Sequence, residues 1–248
     1  MKVAQFSSTG KAENVIEAIE VPNLRDPENN EVLIDVLACP INPADILTIE
    51  GGYGVKPKLP ARLGAECIGK VVKVGNSVHG FKKGDIVLPL DRENWVQQKL
   101  VTSDNLILLP SNIDINQLSM LKVNPATAYL MLNKYVNLKK GDWIIQDAAN
   151  SGVGQSIIRL AKIKGIKTIN IVRRKDLTQE LKNIGADIVL QDSANLAEEV
   201  KDLTNGADIK LAIDAIGGDI ILRLGNCLAD EATILNYGLL SGKNIEIS

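Results

Sequence analysis

The sequence is poor in the residues that build metal and disulfide sites. Its 248 residues include three cysteines, Cys39, Cys67 and Cys227, and a single histidine, His79. No two of these cysteines share a C-x-x-C spacing, so neither a disulfide framework nor a cysteine-rich zinc site is expected. One histidine removes most histidine-based metal sites. An excess of charge is also missing: 28 Lys and Arg face 30 Asp and Glu, for a net charge of −2. Such a chain lacks the global basic field of a nucleic-acid or membrane-surface binder. No uncharged apolar run approaches the roughly 18 residues needed to span a bilayer, so no membrane insertion is expected. The opening Met1-Lys-Val-Ala-Gln-Phe6 carries neither an apolar signal core nor an Arg/Ser-rich transit segment, and a cytoplasmic location is expected. What is present, 45% hydrophobic and 23% charged residues, describes a globular chain of one or two domains.

The two halves differ in rhythm. Up to about Pro110, short β-rich segments alternate with Gly, Pro, Asn and Asp turns. Strands are predicted at 31–38, 65–74, 85–90 and 105–109, with a short helical piece at 43–47. That spacing implies a small barrel-like domain, assigned to residues 1–114. From residue 115 to 248 strands alternate with helices. Strands are predicted at 143–146, 167–172, 188–190, 211–214 and 232–236, and helices at 155–164, 177–184, 195–204 and 219–229. In the first of these helices apolar residues 157, 158, 160, 161 and 163 keep helical spacing, and Gly165 stands where a C-terminal cap belongs. The fold class is therefore α/β, a β-rich domain followed by a doubly wound parallel sheet of Rossmann type.

The turn after Gln146 reads Ala148-Ala149-Asn150-Ser151-Gly152-Val153-Gly154. Against the G-x-G-x-x-G fingerprint, two of the three glycines are replaced by Ala149 and Ser151. The position of the turn, between a strand and a helix and inside a βαβ unit of roughly 30 residues, supports dinucleotide binding. Backbone N–H groups at a helix N-terminus favour a pyrophosphate there. The competing reading is a tight turn with small residues for packing. Arg173-Arg174-Lys175 begins 19 positions after Gly154, where an NAD enzyme would place an acidic residue for the ribose 2′-hydroxyl. Three cations suit a 2′-phosphate, so NADPH is the expected cofactor. A solvated basic helix start is the alternative, although positive charge there opposes the helix dipole.

Several further segments carry a family resemblance: Pro40-Ile-Asn-Pro-Ala-Asp45, Glu50-Gly-Gly-Tyr-Gly54, Leu63-Gly-Ala-Glu66, Gly80-Phe-Lys-Lys-Gly-Asp85, Val123-Asn-Pro-Ala-Thr-Ala-Tyr129 and Asn150-Ser-Gly-Val-Gly-Gln155. In this order the chain resembles the medium-chain dehydrogenase/reductase superfamily and, within it, the zinc-free 2-enoyl thioester reductases of fatty acid synthesis. The resemblance implies that the β-rich domain is GroES-like. It also implies a Rossmann sheet lacking its last strand and a first domain lacking its C-terminal return, because such reductases continue past the point where this sequence stops. Zinc-dependent members carry Gly-His-Glu where this chain has Gly64-Ala65-Glu66, and Ile41–Asp45 offers no thiol for their upstream ligand. Three protein ligands are thus not supplied, and no metal is expected. Cys39 and Cys67 read as small buried hydrophobes on strands, and His79 as a surface turn residue.

Without a metal, hydrogen bonding must polarise the substrate. The resemblance matches Tyr53 to the active-site tyrosine, whose phenol donates to the charge that develops on a thioester carbonyl. The competing reading of Tyr53 is a partly packed turn tyrosine. Asn124 is matched to a cofactor contact and is also a good N-cap before Pro125. Tyr237 and Gly238, at a predicted strand end, lie where open α/β sheets place ligands, or simply end a strand. The cofactor set is Asn124, Asn150, Ser151, Gly152, Val153, Gly154, Arg173, Arg174, Lys175, Tyr237 and Gly238. The expected activity is NADPH-dependent reduction of a trans-2-enoyl thioester, on CoA or acyl carrier protein, by a homodimer when the chain is complete. The alternatives are a zinc-free NADPH quinone oxidoreductase and an NADP-binding relative without turnover.

Overall fold

The computed structural model describes residues 1–245. The chain separates into two compact units that divide between Val123 and Asn124.

In the first unit, β1 (Lys2–Phe6) is followed by the single-turn helix α1 (Ala12–Val15), β2 (Ile16–Glu20) and β3 (Glu31–Ala38). Then come α2 (Pro43–Glu50), β4 (Ala61–Arg62), β5 (Ile68–Val74), β6 (Ile86–Pro89), β7 (Gln98–Thr102), β8 (Leu106–Leu109) and α3 (Ile115–Ser119). Two antiparallel sheets result, ordered β2-β1-β4 and β7-β3-β5-β6-β8. An antiparallel bridge between Val3 and Val96 links the first sheet to the loop before β7. β3 lies between β7 and β5 and is buried at Val32, Leu33 and Ile34, with Val32 and Ile34 packing with Val71, Val87 and Val101. Helix α3 belongs to this unit because Leu118 packs against Ile68, Ile86 and Leu88. The division therefore falls nine residues later than the expected 114/115 boundary.

Helix α2 starts where its sequence directs. Pro43 occupies the first turn, and the Asp45 carboxylate accepts the Asn42 N–H at 2.9 Å. It stops at Gly51, whose φ of +80° ends the helix in the left-handed region.

The second unit comprises α4 (Asn124–Lys134), β9 (Trp143–Gln146), α5 (Gly152–Lys164), β10 (Lys167–Val172), α6 (Thr178–Ile184), β11 (Ile188–Gln191), α7 (Leu196–Thr204), β12 (Ile209–Asp214), α8 (Ile220–Gly225) and β13 (Thr233–Asn236). Its five strands are all parallel and ordered β11-β10-β9-β12-β13. This is the dinucleotide-binding order, and the direction of winding reverses between β9 and β12. β10 and β12 are buried almost end to end, because both faces of a parallel sheet are covered. α5 buries Ile157, Ile158 and Ala161 completely, each isoleucine contributing about 1.5–3 kcal/mol. Gly165 caps it at φ +68°.

Three expectations are revised in detail. Asn124 is the first residue of α4 and not a residue outside it, a one-position difference at a helix end. Arg173, Arg174 and Lys175 do not start a helix: they leave the end of β10 and enter a 3-10 turn over Lys175–Leu177, with α6 beginning at Thr178. The dipole argument against a solvated basic run therefore loses its force, since the arginines precede the helical turn. Cys39 is half-buried and lies one residue past β3, so of the two cysteines read as buried strand residues only Cys67 is fully buried.

Candidate functional site

The turn between β9 and α5 lies at the carboxyl edge of the parallel sheet, beside the switch in strand order. Ser151 caps α5 by accepting the Gly154 N–H at 3.1 Å. Gly152 and Val153 open the helix, and their N–H groups have no partner among the described residues. Two glycines are required by close approach. A Cβ on Gly154 would stand 2.6 Å from the Ala149 carbonyl oxygen and 2.8 Å from that of Ala148. A Cβ on Gly152 would stand 2.6 Å from Nδ2 of Asn124. The first glycine lets α5 pack tightly on its strand, and the second leaves Asn124 room beside the helix terminus. Asn150 is exposed at the tip of the turn.

A buried polar layer holds this turn from beneath. Gln146 donates through Nε2 to the Gly154 carbonyl at 3.0 Å and to Asn170 Oδ1 at 2.7 Å. Asn170 in turn donates to Thr168 Oγ1 at 2.9 Å and to the Ile188 carbonyl at 2.9 Å, stitching β9, β10 and β11 together. Asp147 accepts the Ala215 N–H at 2.8 Å. Asp214 accepts from the Gly217 N–H and from Asn236 Nδ2, both at 2.8 Å, and from the Ile216 N–H at 3.0 Å. Asp147 and Asp214 are 1% and 0% exposed. Burial pushes the Asp147 carboxyl up to about 8, with the adjacent Asp214 adding to the rise and the Ala215 N–H opposing it. Asp147 is the carboxyl of the two that burial inclines to keep its proton. None of Gln146, Asp147, Asn170 and Asp214 belonged to the expected site, because polar residues inside apolar strands carry no motif.

Tyr237 continues the β13 backbone, its N–H donating to the Asp214 carbonyl at 2.9 Å. Its phenol is pushed up to about 12, first by burial and then by Asp147 and Asp214, while the neighbouring Ser151 acts the other way. A Cβ on Gly238 would stand 2.7 Å from the Ala215 carbonyl. The structure thus gathers Asn124, Ser151, Gly152, Gly154, Tyr237 and Gly238 at one edge of the sheet. Arg173, Arg174 and Lys175 are exposed at the same edge, just past the end of β10, the strand next to β9. Arg174 makes a loose 3.6 Å contact with Asp176, both well exposed, which leaves it free to meet an anion. Cradles shaped by missing Cβ atoms, free helix-terminal amides and adjacent cations are the features a dinucleotide needs.

Tyr53 lies in the first unit, half-buried in the loop that leaves α2. Its N–H and that of Gly52 donate to the Leu47 carbonyl at 3.1 and 2.9 Å, folding the loop back over the helix end. Within this unit no hydrogen bond to its hydroxyl occurs among the described residues. At the other end of α2, the fully buried Glu66 accepts from Asn42 Nδ2 at 3.1 Å and from the Val123 N–H at 2.8 Å. Burial pushes the Glu66 carboxyl up while these donors hold it down. Among the described residues no group of three or more His, Cys, Asp or Glu side chains is placed to hold one metal ion. His79 is exposed in a turn.

Comparison with known proteins agrees with this geometry. The families described as "Alcohol dehydrogenase GroES-like domain" and "Zinc-binding dehydrogenase" match residues 28–102 and 152–248. The zinc in the second description has no counterpart at Gly64-Ala65-Glu66. The mitochondrial enoyl-[acyl-carrier-protein] reductase of Dictyostelium discoideum is 40% identical over 92% of this chain and 68% of its own length. The mitochondrial 2-enoyl thioester reductase Etr1p/Etr2p heterodimer from Candida tropicalis superposes with a TM-score of 0.87 at 30% identity, over 100% of this chain and 77% of that one. The related Etr1p complex holds NADP and crotonyl-CoA, with a TM-score of 0.89, 29% identity, and coverage of 100% and 77%. Escherichia coli quinone oxidoreductase, complexed with NADPH, reaches 0.87 at 28% identity, with coverage of 100% and 76%. The chain spans 61–68% of the length of the first curated relatives it matches. These relatives are named mitochondrial, which overturns the expected cytoplasmic location. Reduced cysteines and a neutral charge suit either compartment, so composition alone does not separate the two. By its sequence, its two folds and its glycine-shaped turn, the chain belongs to the zinc-free 2-enoyl thioester reductases of the medium-chain dehydrogenase/reductase superfamily.

Proposed function

We propose that the complete protein reduces trans-2-enoyl thioesters, carried on CoA or acyl carrier protein, to saturated acyl thioesters in fatty acid synthesis, using NADPH. The observation that carries this reading is the phosphate turn with Gly152 and Gly154 beside three exposed cations, in a chain 40% identical to a named enoyl reductase. When bound, NADPH supplies the hydride for the β-carbon. The chain's own residues do the rest. The N–H groups of Gly152 and Val153 and the α5 dipole hold the pyrophosphate. Arg173, Arg174 and Lys175 hold the 2′-phosphate by charge-assisted hydrogen bonds. Asn124, Asn150, Ser151, Tyr237 and Gly238 shape the remaining edge. The free Tyr53 hydroxyl donates to the thioester carbonyl oxygen as negative charge collects there.

The complete protein works as a homodimer in this reading. A pairing of related reductases is recorded for the Candida tropicalis proteins, and β13 is an edge strand with half-exposed side chains among the described residues.

A quinone reductase is the second reading, because the fold likeness to a quinone oxidoreductase is equally close. The complete enzyme is assayed for NADPH oxidation with crotonyl-CoA and, separately, with a benzoquinone. Turnover of crotonyl-CoA at a much higher kcat/KM is expected; the reverse preference assigns the quinone branch, and tight NADPH binding without turnover of either assigns a binding role.

A further inference from the structure

Two thiols in the first unit face one another across the end of a strand pair, and neither belongs to the site described above. β3 and β5 run antiparallel, with a register irregularity between Val36 and Ala38 and their last pair at Ala38 and Ile68, so Cys39 and Cys67 are the next residues at the two adjoining strand ends. Directly opposed residues in antiparallel strands, as Ala38 and Ile68 are, have Cα atoms about 4.5–5.5 Å apart, so the residues that adjoin this pair start within reach of the about 4.4–6.8 Å that a disulfide spans. The two thiols are close enough for each to perturb the other's ionisation.

The two thiols are unequal. Cys67 is fully buried, and the neighbouring Cys39 thiol and burial together hold its proton well above the ordinary thiol range. Cys39 is half-buried and lines an open hollow of about 430 Å³ with Leu37, Ile41, Trp95 and Gln97. The neighbouring Cys67 thiol lowers the Cys39 pKa, burial opposes it, and the Lys99 ammonium lowers it further. Lys99 is fixed by donating to Asp91 Oδ1 at 2.7 Å and Asn94 Oδ1 at 2.9 Å, while the reduced Cys39 thiol donates to the Asn94 carbonyl at 3.0 Å. An accessible thiol inclined to ionise, set against a buried second thiol, is the arrangement that captures a sulfenic acid as a disulfide before further oxidation.

We propose that Cys39 and Cys67 form a reversible two-electron oxidation site that hydroperoxides close to a disulfide. The Cys39 thiolate attacks one peroxide oxygen; an S–O bond forms as the O–O bond breaks, and the departing hydroxide takes a proton and leaves as water. The Cys67 sulfur then attacks the Cys39 sulfenic sulfur. The S–S bond forms, the S–O bond breaks, and the Cys67 proton leaves with the hydroxide as a second water. Together the sulfurs lose two electrons, which the peroxide gains.

The test treats the full chain with hydrogen peroxide, blocks free thiols, digests without reductant and maps the peptides by mass. The expected product is a Cys39–Cys67 linked peptide pair, lighter by two hydrogen atoms than the reduced pair and separated by dithiothreitol. In Cys67→Ser, Cys39 should go on to sulfinic acid; in Cys39→Ser, Cys67 should stay reduced. Recovery from the wild-type chain of Cys39 as sulfinic acid beside a free Cys67, of both thiols intact, or of a link to Cys227 overturns the proposal. The wild-type map decides the matter even if a variant fails to fold.

Discussion

Replacing Asp147 by Asn keeps the shape of the carboxyl and removes its titration. Asp147 Oδ1 accepts the Ala215 N–H at 2.8 Å, while Oδ2 receives no donor and faces Asp214. Asp214 is already saturated by the amides of Ile216, Gly217 and Asn236, so a protonated Asp147 is the partner that relieves the pair. Besides Asp214 from β12, the titratable group facing the pair is Tyr237 after β13. The Asp147 carboxyl stands at about 8 against an ordinary 3.8, from burial first and Asp214 second. The folded chain thus keeps a proton that the unfolded chain releases. This contribution is fully present below about pH 4 and is lost as pH climbs to about 8, at about 1.4 kcal/mol per pH unit. Between pH 5 and pH 8 the loss comes to about 2–4 kcal/mol, the lower figure allowing for relaxation of the coupled pair. Asn offers Ala215 the same acceptor and Asp214 an amide donor at every pH. Thermal unfolding followed by circular dichroism across this range should show the variant gaining on wild type by roughly 4–16 °C at pH 8, with little difference near pH 4. A gap that stays constant with pH, or wild type the more stable at pH 8, would refute the shared proton.

Two further outcomes bear on the site. Arg173→Ala with Arg174→Ala should weaken NADPH by about 10–100-fold, with NADH affected little, because only the 2′-phosphate loses charge-assisted partners; fluorescence titration of both cofactors checks this, and equal weakening would remove the 2′-phosphate role. Tyr53→Phe in the complete enzyme should lower kcat by about 10²–10³-fold while NADPH affinity and unfolding temperature stay near wild type; steady-state kinetics beside a melting curve checks it, and wild-type turnover would take the phenol out of the mechanism.

The second unit is legible in sequence because its signals are local. Trp143–Gln146 and Lys167–Val172 are short β-rich runs bounded by turns, and Gly165 marks the helix end between them. In the first unit Lys2–Phe6, Ile16–Glu20 and Gln98–Thr102 go unpredicted. Each mixes polar and apolar residues and becomes a strand through pairing with a distant partner, as Glu31–Asp35 pairs with Gln98–Thr102. The same distinction governs the site. The glycines and the basic run announce themselves by spacing. Asp147 and Asp214 meet only because β9 and β12 are neighbours at the switch point, and Cys39 meets Cys67 only through the register of β3 and β5. The half-burial of Cys39 follows from its place beyond the strand end, which composition does not reveal.

The most direct test of the central claim follows the hydride. The complete enzyme is given crotonyl-CoA and NADPH carrying deuterium at C4 of the nicotinamide, in ordinary water, and the acyl product is examined by mass spectrometry and NMR. Enoyl thioester reduction predicts butyryl-CoA with one deuterium on the β-carbon and a solvent hydrogen on the α-carbon when deuterium occupies the transferred C4 position. With labels placed in turn on both faces of C4, product that never carries deuterium at the β-carbon, or crotonyl-CoA recovered unchanged while a quinone is consumed, would contradict it.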